Sequence, residues 1–166
     1  ANLAVTFAQL GERTLLIDGN LRTPRQHKLF KIENQMGLSN LLAGRMQDQV
    51  VTFISGIPGL AVLPAGPTPP NPGELLSRPV LQRILHQSMS TFDVVIVDTP
   101  AISAGTDAMM LAKAAGASLM VARTNMTRTA AFNEAVEAMN SSGIFVVGSV
   151  LVDVPARKKS AAAAEA

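Results

Sequence analysis

Four short runs of apolar residues punctuate the chain: Leu15–Ile17, Val94–Val97, Leu119–Ala122, and Val146–Val152 with Gly148 and Ser149 inside it. A fifth is Leu60–Leu63. Each is continuous rather than alternating, the pattern of strands buried on both faces of a parallel sheet. Between them apolar residues recur at intervals of three and four: Leu81, Ile84 and Leu85; Ala108, Leu111, Ala112 and Ala115; Phe132, Val136 and Met139. The opening stretch shows the same period in Leu3, Phe7 and Leu10, with Ala4 between them. That spacing predicts helices with one apolar face to lay on a sheet. Asn71-Pro72 has the form of a helix start, and Gly11, Gly116 and Gly143 stand where helices should stop. Met109, Met110, Met120, Met126 and Met139 are expected to fill core space.

Strand and helix patterns alternate, which predicts the α/β class: three layers, a mainly parallel sheet and helices on both faces. No repeat is present. The Pro/Gly-rich stretch from Pro64 to Gly73 is expected to be a rigid loop, because patterned sequence resumes at once on either side.

Composition narrows the function classes. The chain has 166 residues, 48% of them apolar and 16% charged, enough for one globular domain with a buried core. No apolar stretch approaches the ~20 residues of a membrane-spanning helix, so the segment is expected to be soluble. There is no cysteine, and His27 and His86 are far apart, which removes disulfides and makes a zinc site a poor expectation. With no tyrosine or tryptophan and six phenylalanines, a base-stacking nucleic-acid surface is not expected. The balance of 14 basic and 12 acidic residues implies no polyanionic partner. The text enters a helical pattern directly at Ala1, as an interior piece of a longer chain would. Residues 1–154 are expected to form the domain, and residues 155–166, with Arg157-Lys158-Lys159 and an alanine tract, a disordered tail.

In open parallel sheets ligands bind beyond the carboxyl ends of the strands. Asp18 follows Leu15–Ile17, and Asp98 with Thr99 follows Val94–Val97. Each is a carboxylate at a predicted strand tip, suited to holding Mg2+ beside nucleotide phosphates or, more simply, to capping a turn. A phosphate cradle of the Gly-Lys-Ser/Thr kind is absent: none of Lys28, Lys31, Lys113, Lys158 and Lys159 follows a glycine. It is expected upstream of Ala1. Arg22, Arg25, His27, Lys28 and Lys31 form a basic cluster after Asp18, either a solvated surface or a contact for phosphates, an acidic tail or a neighbouring subunit.

The segment from Ala1 to Asp18 resembles the stretch that follows the P-loop in deviant-Walker ATPases, which include chromosome-partitioning ATPases and bacterial tyrosine kinases. Asp18-Gly-Asn-Leu-Arg22-Thr-Pro24-Arg-Gln-His27-Lys-Leu-Phe30 resembles the Walker A′ motif of the bacterial tyrosine kinases of capsule and exopolysaccharide export. Leu63-Pro-Ala-Gly-Pro-Thr-Pro-Pro-Asn-Pro-Gly-Glu-Leu-Leu76 is similar to the same kinases, Val95-Ile-Val-Asp98-Thr-Pro100 to their Walker B motif, and Leu119-Met-Val-Ala-Arg123 to their next strand. The resemblance spans residues 1–154 and is to the chain-length-determinant type.

It implies a P-loop NTPase-like fold lacking its first strand and P-loop, and ATP- and Mg2+-dependent phosphorylation of tyrosines in the control of polysaccharide chain length. By position, Asp18, Asn20 and Asp98 would be catalytic, Asp18, Arg22, Asp98, Thr99 and Asp153 would face ATP, and Asp18 and Asp98 would hold Mg2+. The implied partners are a membrane chain-length-determinant domain (a polysaccharide co-polymerase) and the tyrosine-rich tail of a neighbouring subunit in a homo-oligomer. The implied location is the cytoplasmic face of the bacterial inner membrane. This piece by itself is expected to be inactive. The chain departs from the family pattern in three places. Asn20 replaces a second acid, Val150-Leu151-Val152-Asp153 replaces a Val-Leu-Asn pattern, and no tyrosine is present. Two other readings stay open: a partitioning-type ATPase, and a non-catalytic interaction module of a polysaccharide export complex.

Overall fold

The computed structural model describes residues 1–45 and 50–153, so the tail expected at 155–166 lies outside the described residues. The chain divides into two units, Ala1–Gly116 and Ala117 onward. In the first, α1 (Asn2–Gln9) leads to β1 (Thr14–Asp18), then α2 (Gln26–Phe30), α3 (Leu38–Leu42), β2 (Thr52–Phe53) and β3 (Leu60–Leu63). There follow α4 (Pro72–Leu76), α5 (Val80–Thr91), β4 (Val94–Asp98), a 3₁₀ turn at Ile102–Ala104 and α6 (Asp107–Ala115). The sheet order is β2-β3-β1-β4. β1 runs parallel to both β3 and β4, and the two-residue β2 is antiparallel to β3.

Strand alternation distributes the core over two faces. Leu15, Ile17, Ala61 and Leu63 turn to one side, where Leu38, Leu41 and Leu42 of α3, Leu81, Ile84 and Leu85 of α5 and Leu111 of α6 cover them. Leu16, Leu60 and Val62 turn to the other and meet Ala4 and Ala8 of α1. Helices therefore cover both faces, as the apolar runs predict. On α1 the contact differs from expectation: Ala4 and Ala8 are buried while Leu3 and Leu10 are exposed, since the small side chains let the helix backbone approach the sheet. Full burial of a side chain such as Leu16 is worth ~1.5–3 kcal/mol.

In the first unit β1 and β3 are buried along their whole length and β4 is half-buried. Within this unit β4 pairs with β1. At its N-terminal end Arg13 fixes the register: its Nε and Nη2 donate to Asp93 Oδ2 and Oδ1 at 3.0 and 2.6 Å, and Asp93 N–H returns to Arg13 carbonyl oxygen at 2.8 Å. The guanidinium hydrogen bonds hold the Asp93 pKa down at about 2. Asn71 and Pro72 start α4 as expected, though the Asn71 side chain makes no capping bond. Gly116, at φ 81°, closes α6 in the left-handed conformation that glycine enters without penalty.

The second unit is one βαβ element: β5 (Ala117–Arg123) and β6 (Phe145–Val152) are parallel and joined by α7 (Thr129–Ser141). Met120, Ala135, Met139 and Ile144 are buried, whereas Val121 is 61% and Leu151 71% exposed. Within this unit α7 packs against β6. Met126 differs from expectation. It sits in the turn after β5, its N–H bonded to Arg123 carbonyl oxygen, and is 68% exposed rather than core.

Candidate active site

Asp18 and Asp98 end adjacent parallel strands and are register partners. By alternation they share the face of Leu16 and Ile96, so strand pairing alone sets the two carboxylates side by side at the carboxyl edge of the sheet. Gly19 turns the chain immediately after β1, its N–H donating to Asp98 carbonyl oxygen at 2.9 Å. A Cβ at this position would lie 2.7 Å from that oxygen and 2.9 Å from Leu111 Cδ1, so only glycine fits between the strand end and α6.

The loop that follows wraps the Asp18 carboxylate. Oδ1 accepts the Asn20 N–H at 3.2 Å, and Oδ2 accepts the N–H groups of Arg25 and Gln26 at 3.1 and 3.0 Å. Asp18 is 0% exposed. Burial raises its pKa against the lowering effect of these three bonds, and the charge of Asp98 adds to the rise. Asp98 itself is half-buried. Its Oδ2 accepts Gln26 Nε2 at 2.9 Å, and Oδ1 has no hydrogen-bond partner among the described residues.

Asn20 closes a smaller ring with Thr23. Its Oδ1 accepts the Thr23 N–H at 3.1 Å and its Nδ2 donates to Thr23 Oγ1 at 3.2 Å. The side chain therefore shapes the loop. Arg22 points elsewhere: Nε and Nη2 donate to Asp107 Oδ2 and Oδ1 at 2.7 and 3.1 Å. Asp107 is 2% exposed, at the start of α6. Thr99 follows Asp98 and is exposed. Asp153, exposed after β6, belongs to the second unit. Within the first unit the structure brings Asp18, Asn20 and Asp98 together and pairs Arg22 with a residue the motif does not contain.

Three contributors escape the sequence pattern: Gln26, which contacts both carboxylates, Asp107, which holds Arg22, and Gly19, which makes the turn. Gly19 lies inside the Walker A′ stretch and its position was the available signal. Gln26 lies inside the same stretch, but nothing in its residue type marks it, and an aspartate 85 positions from its partner carries no signal.

Among the described residues no group of three or more acidic or histidine side chains gathers as a metal cage. Two carboxylates, one with an oxygen unpartnered among the described residues, instead suit a cation such as Mg2+, which keeps several waters and completes its octahedron with phosphate oxygens. Gln26 Oε1, buried beside this pair with no partner among the described residues, adds an acceptor of the kind a coordinated water needs. The arrangement is able to hold a divalent cation at a strand edge and to keep a second negative charge next to it.

No protein-family model matches the chain. It is 36% identical over 160 residues to a Staphylococcus aureus protein named as a tyrosine-protein kinase, CapB, a match covering 96% of this chain and 70% of that protein. The chain belongs to the bacterial tyrosine-protein kinases. The Escherichia coli tyrosine-protein kinase Etk is 34% identical over 161 residues, 97% of this chain but 22% of Etk. The solved Etk kinase domain superposes with a TM-score of 0.86 at 34% identity, covering 93% of this chain and 62% of that one. MinD of Pyrococcus horikoshii, solved with Mg-ADP, superposes with a TM-score of 0.77 at 18% identity over 91% of this chain and 62% of that one, a likeness of fold alone. The α/β class expected from the strand and helix pattern, and the P-loop NTPase-like fold that the resemblance implies, are thus those of this kinase family member. Among the described residues no helix is long and apolar enough to cross a membrane.

Proposed function

We propose that this chain is catalytic-domain sequence of an ATP- and Mg2+-dependent protein tyrosine kinase acting in exopolysaccharide or capsule chain-length control. The observation that carries the reading is the register pairing of Asp18 with Asp98 at the carboxyl edge of a parallel sheet, within a chain that belongs to the tyrosine-protein kinases.

Bound ATP and Mg2+ would supply the transferable phosphoryl group and the positive charge that neutralises it. Asp98 Oδ1, which has no hydrogen-bond partner among the described residues, would be the ligand for the cation. Asp18 is enclosed by its own loop and acts by shaping that loop and by lending negative charge next to Asp98. Thr99, exposed beside Asp98, would contact the bound nucleotide. The acceptor tyrosine has a reference pKa near ~10, so its proton must leave as transfer proceeds, and a negative cluster beside the cation favours that departure. Asn20 accepts or donates a hydrogen bond but takes no proton. A phosphate-cradling loop is proposed to come from sequence outside these residues. Its proposed partners are a membrane chain-length-determinant domain and a tyrosine-rich tail of a neighbouring copy, at the cytoplasmic face of the inner membrane.

The test is phosphoryl transfer from ATP to a tyrosine peptide by the full-length protein, with and without Asp98→Asn. Loss of a preorganised charge facing the transferred group is expected to lower the rate ~10²-fold or more. An unchanged rate would remove Asp98 from the site.

A further inference from the structure

Gln26 is the first residue of α2 and is 7% exposed. Its backbone N–H holds Asp18 Oδ2 at 3.0 Å, and its side-chain Nε2 holds Asp98 Oδ2 at 2.9 Å. One residue therefore grips both strand-tip carboxylates. The carboxamide orientation is fixed by this contact, because the flipped amide would set its oxygen against a carboxylate oxygen. Oε1 is then the amide atom that does not contact Asp98. It is buried and has no partner among the described residues, which is unfavourable for a buried carbonyl oxygen unless a donor comes from elsewhere. Oε1 only accepts, so the missing partner is a donor. Water in the coordination shell of a cation on Asp98 Oδ1 is such a donor, polarised by the metal and adjacent to the same carboxylate.

We propose that Gln26 is a positioning residue of the cation site. Its Nε2 holds Asp98 in the orientation that leaves Oδ1 open, and its Oε1 receives a hydrogen bond from a water coordinated to the cation. This rests on the reading of Asp98 as the cation's ligand. The role is a second contact behind the ligand, of the kind whose removal typically costs ~10–100-fold in metal affinity. The backbone bond from position 26 to Asp18 survives any side-chain change, so the loop keeps its closure.

The experiment uses the full-length protein with Mn2+ as the probe, its affinity read by electron paramagnetic resonance at saturating ADP. Affinity for ADP without metal is measured in parallel by calorimetry. Gln26→Met keeps the volume and removes both polar contacts; Gln26→Asn keeps the amide but is too short to reach Asp98. Each is expected to weaken Mn2+ binding ~10-fold or more while metal-free ADP affinity stays at the wild-type value. Wild-type Mn2+ affinity in either folded variant overturns the proposal, as does an equal loss of ADP affinity without metal, which a general disturbance of the loop would produce. Asp98→Asn separates the two levels of argument. If it abolishes Mn2+ binding and the Gln26 variants do not, the role of Gln26 fails alone. If Asp98→Asn leaves Mn2+ binding intact, the assignment of Asp98 fails and the proposal for Gln26 falls with it.

Discussion

Arg22 and Asp107 form a two-point ion pair, with Nε to Oδ2 at 2.7 Å and Nη2 to Oδ1 at 3.1 Å, that ties the loop after β1 to the first turn of α6. The fork geometry matches carboxylate to guanidinium, and the carboxylate partner is 2% exposed. The loop carrying the active-site candidates is thus anchored at two points: Asp18 at its start and Asp107 across the domain.

Arg22→Ala is expected to lower the thermal midpoint more than Arg78→Ala, because Asp107 is buried while Glu74, the partner of Arg78, is exposed. Arg22→Lys should recover part of the loss, as an ammonium replaces one of two bonds. Differential scanning calorimetry of the three variants decides. Equal midpoints for Arg22→Ala and the wild type, with weakened ADP binding, would assign Arg22 to phosphate instead.

Asp18 titrates above the ordinary carboxylate range, first because it is buried and further because Asp98 is charged. A folded-state pKa above the unfolded value means that the folded chain binds the proton more tightly. Its stabilising effect is complete below the unfolded value of ~4 and is lost as pH rises through the raised folded value. Carboxylate NMR on the isotopically labelled protein should show the elevated transition. In Asp98→Asn the Asp18 transition should move down while staying above the ordinary value, since burial remains. An unmoved transition would show that the two carboxylates do not sense one another.

Gly19→Ala sets a methyl group 2.7 Å from Asp98 carbonyl oxygen, 2.9 Å from Leu111 Cδ1 and 3.0 Å from Val97 Cγ1. Such overpacking costs ~1–3 kcal/mol, to be read from urea denaturation. Because the displaced backbone is that of Asp98, Mn2+ affinity should fall in the same variant. Unchanged stability would mean that α6 yields without cost.

Asn20→Asp is compatible with the loop: an aspartate Oδ1 keeps the Thr23 N–H, and the Thr23 hydroxyl turns to donate to Oδ2. Stability is expected to stay within ~0.5 kcal/mol. The rate of tyrosine phosphorylation is expected to rise, because the substitution supplies a second acid near the acceptor hydroxyl. A transfer assay that finds no increase, while Asp98→Asn silences the enzyme, would show that position 20 serves only the turn with Thr23.

The fold class was legible because burial leaves its mark locally. Leu15–Ile17 and Leu60–Leu63 are apolar without interruption and are buried on both faces, and Leu81, Ile84 and Leu85 repeat at the helical period that faces them. The extent of that burial was less legible. Val94–Val97 has the same apolar run but is half-buried, because what covers a strand depends on its neighbours in space. Leu3 and Leu10 were outcompeted by Ala4 and Ala8 for the sheet, a matter of how close two backbones come.

By itself the sequence determined that Asp18 and Asp98 end two strands, since a polar residue closing an apolar run marks a strand tip. The tertiary structure alone decided that those strands are neighbours in register, that Gln26 spans both carboxylates and that Arg22 answers to Asp107. The reason is physical. Periodicity and capping act over a few residues and are written in the order of the chain. Hydrogen bonds across 72 and 85 positions depend on how the packed sheet and helices bring distant segments together, which no local pattern records.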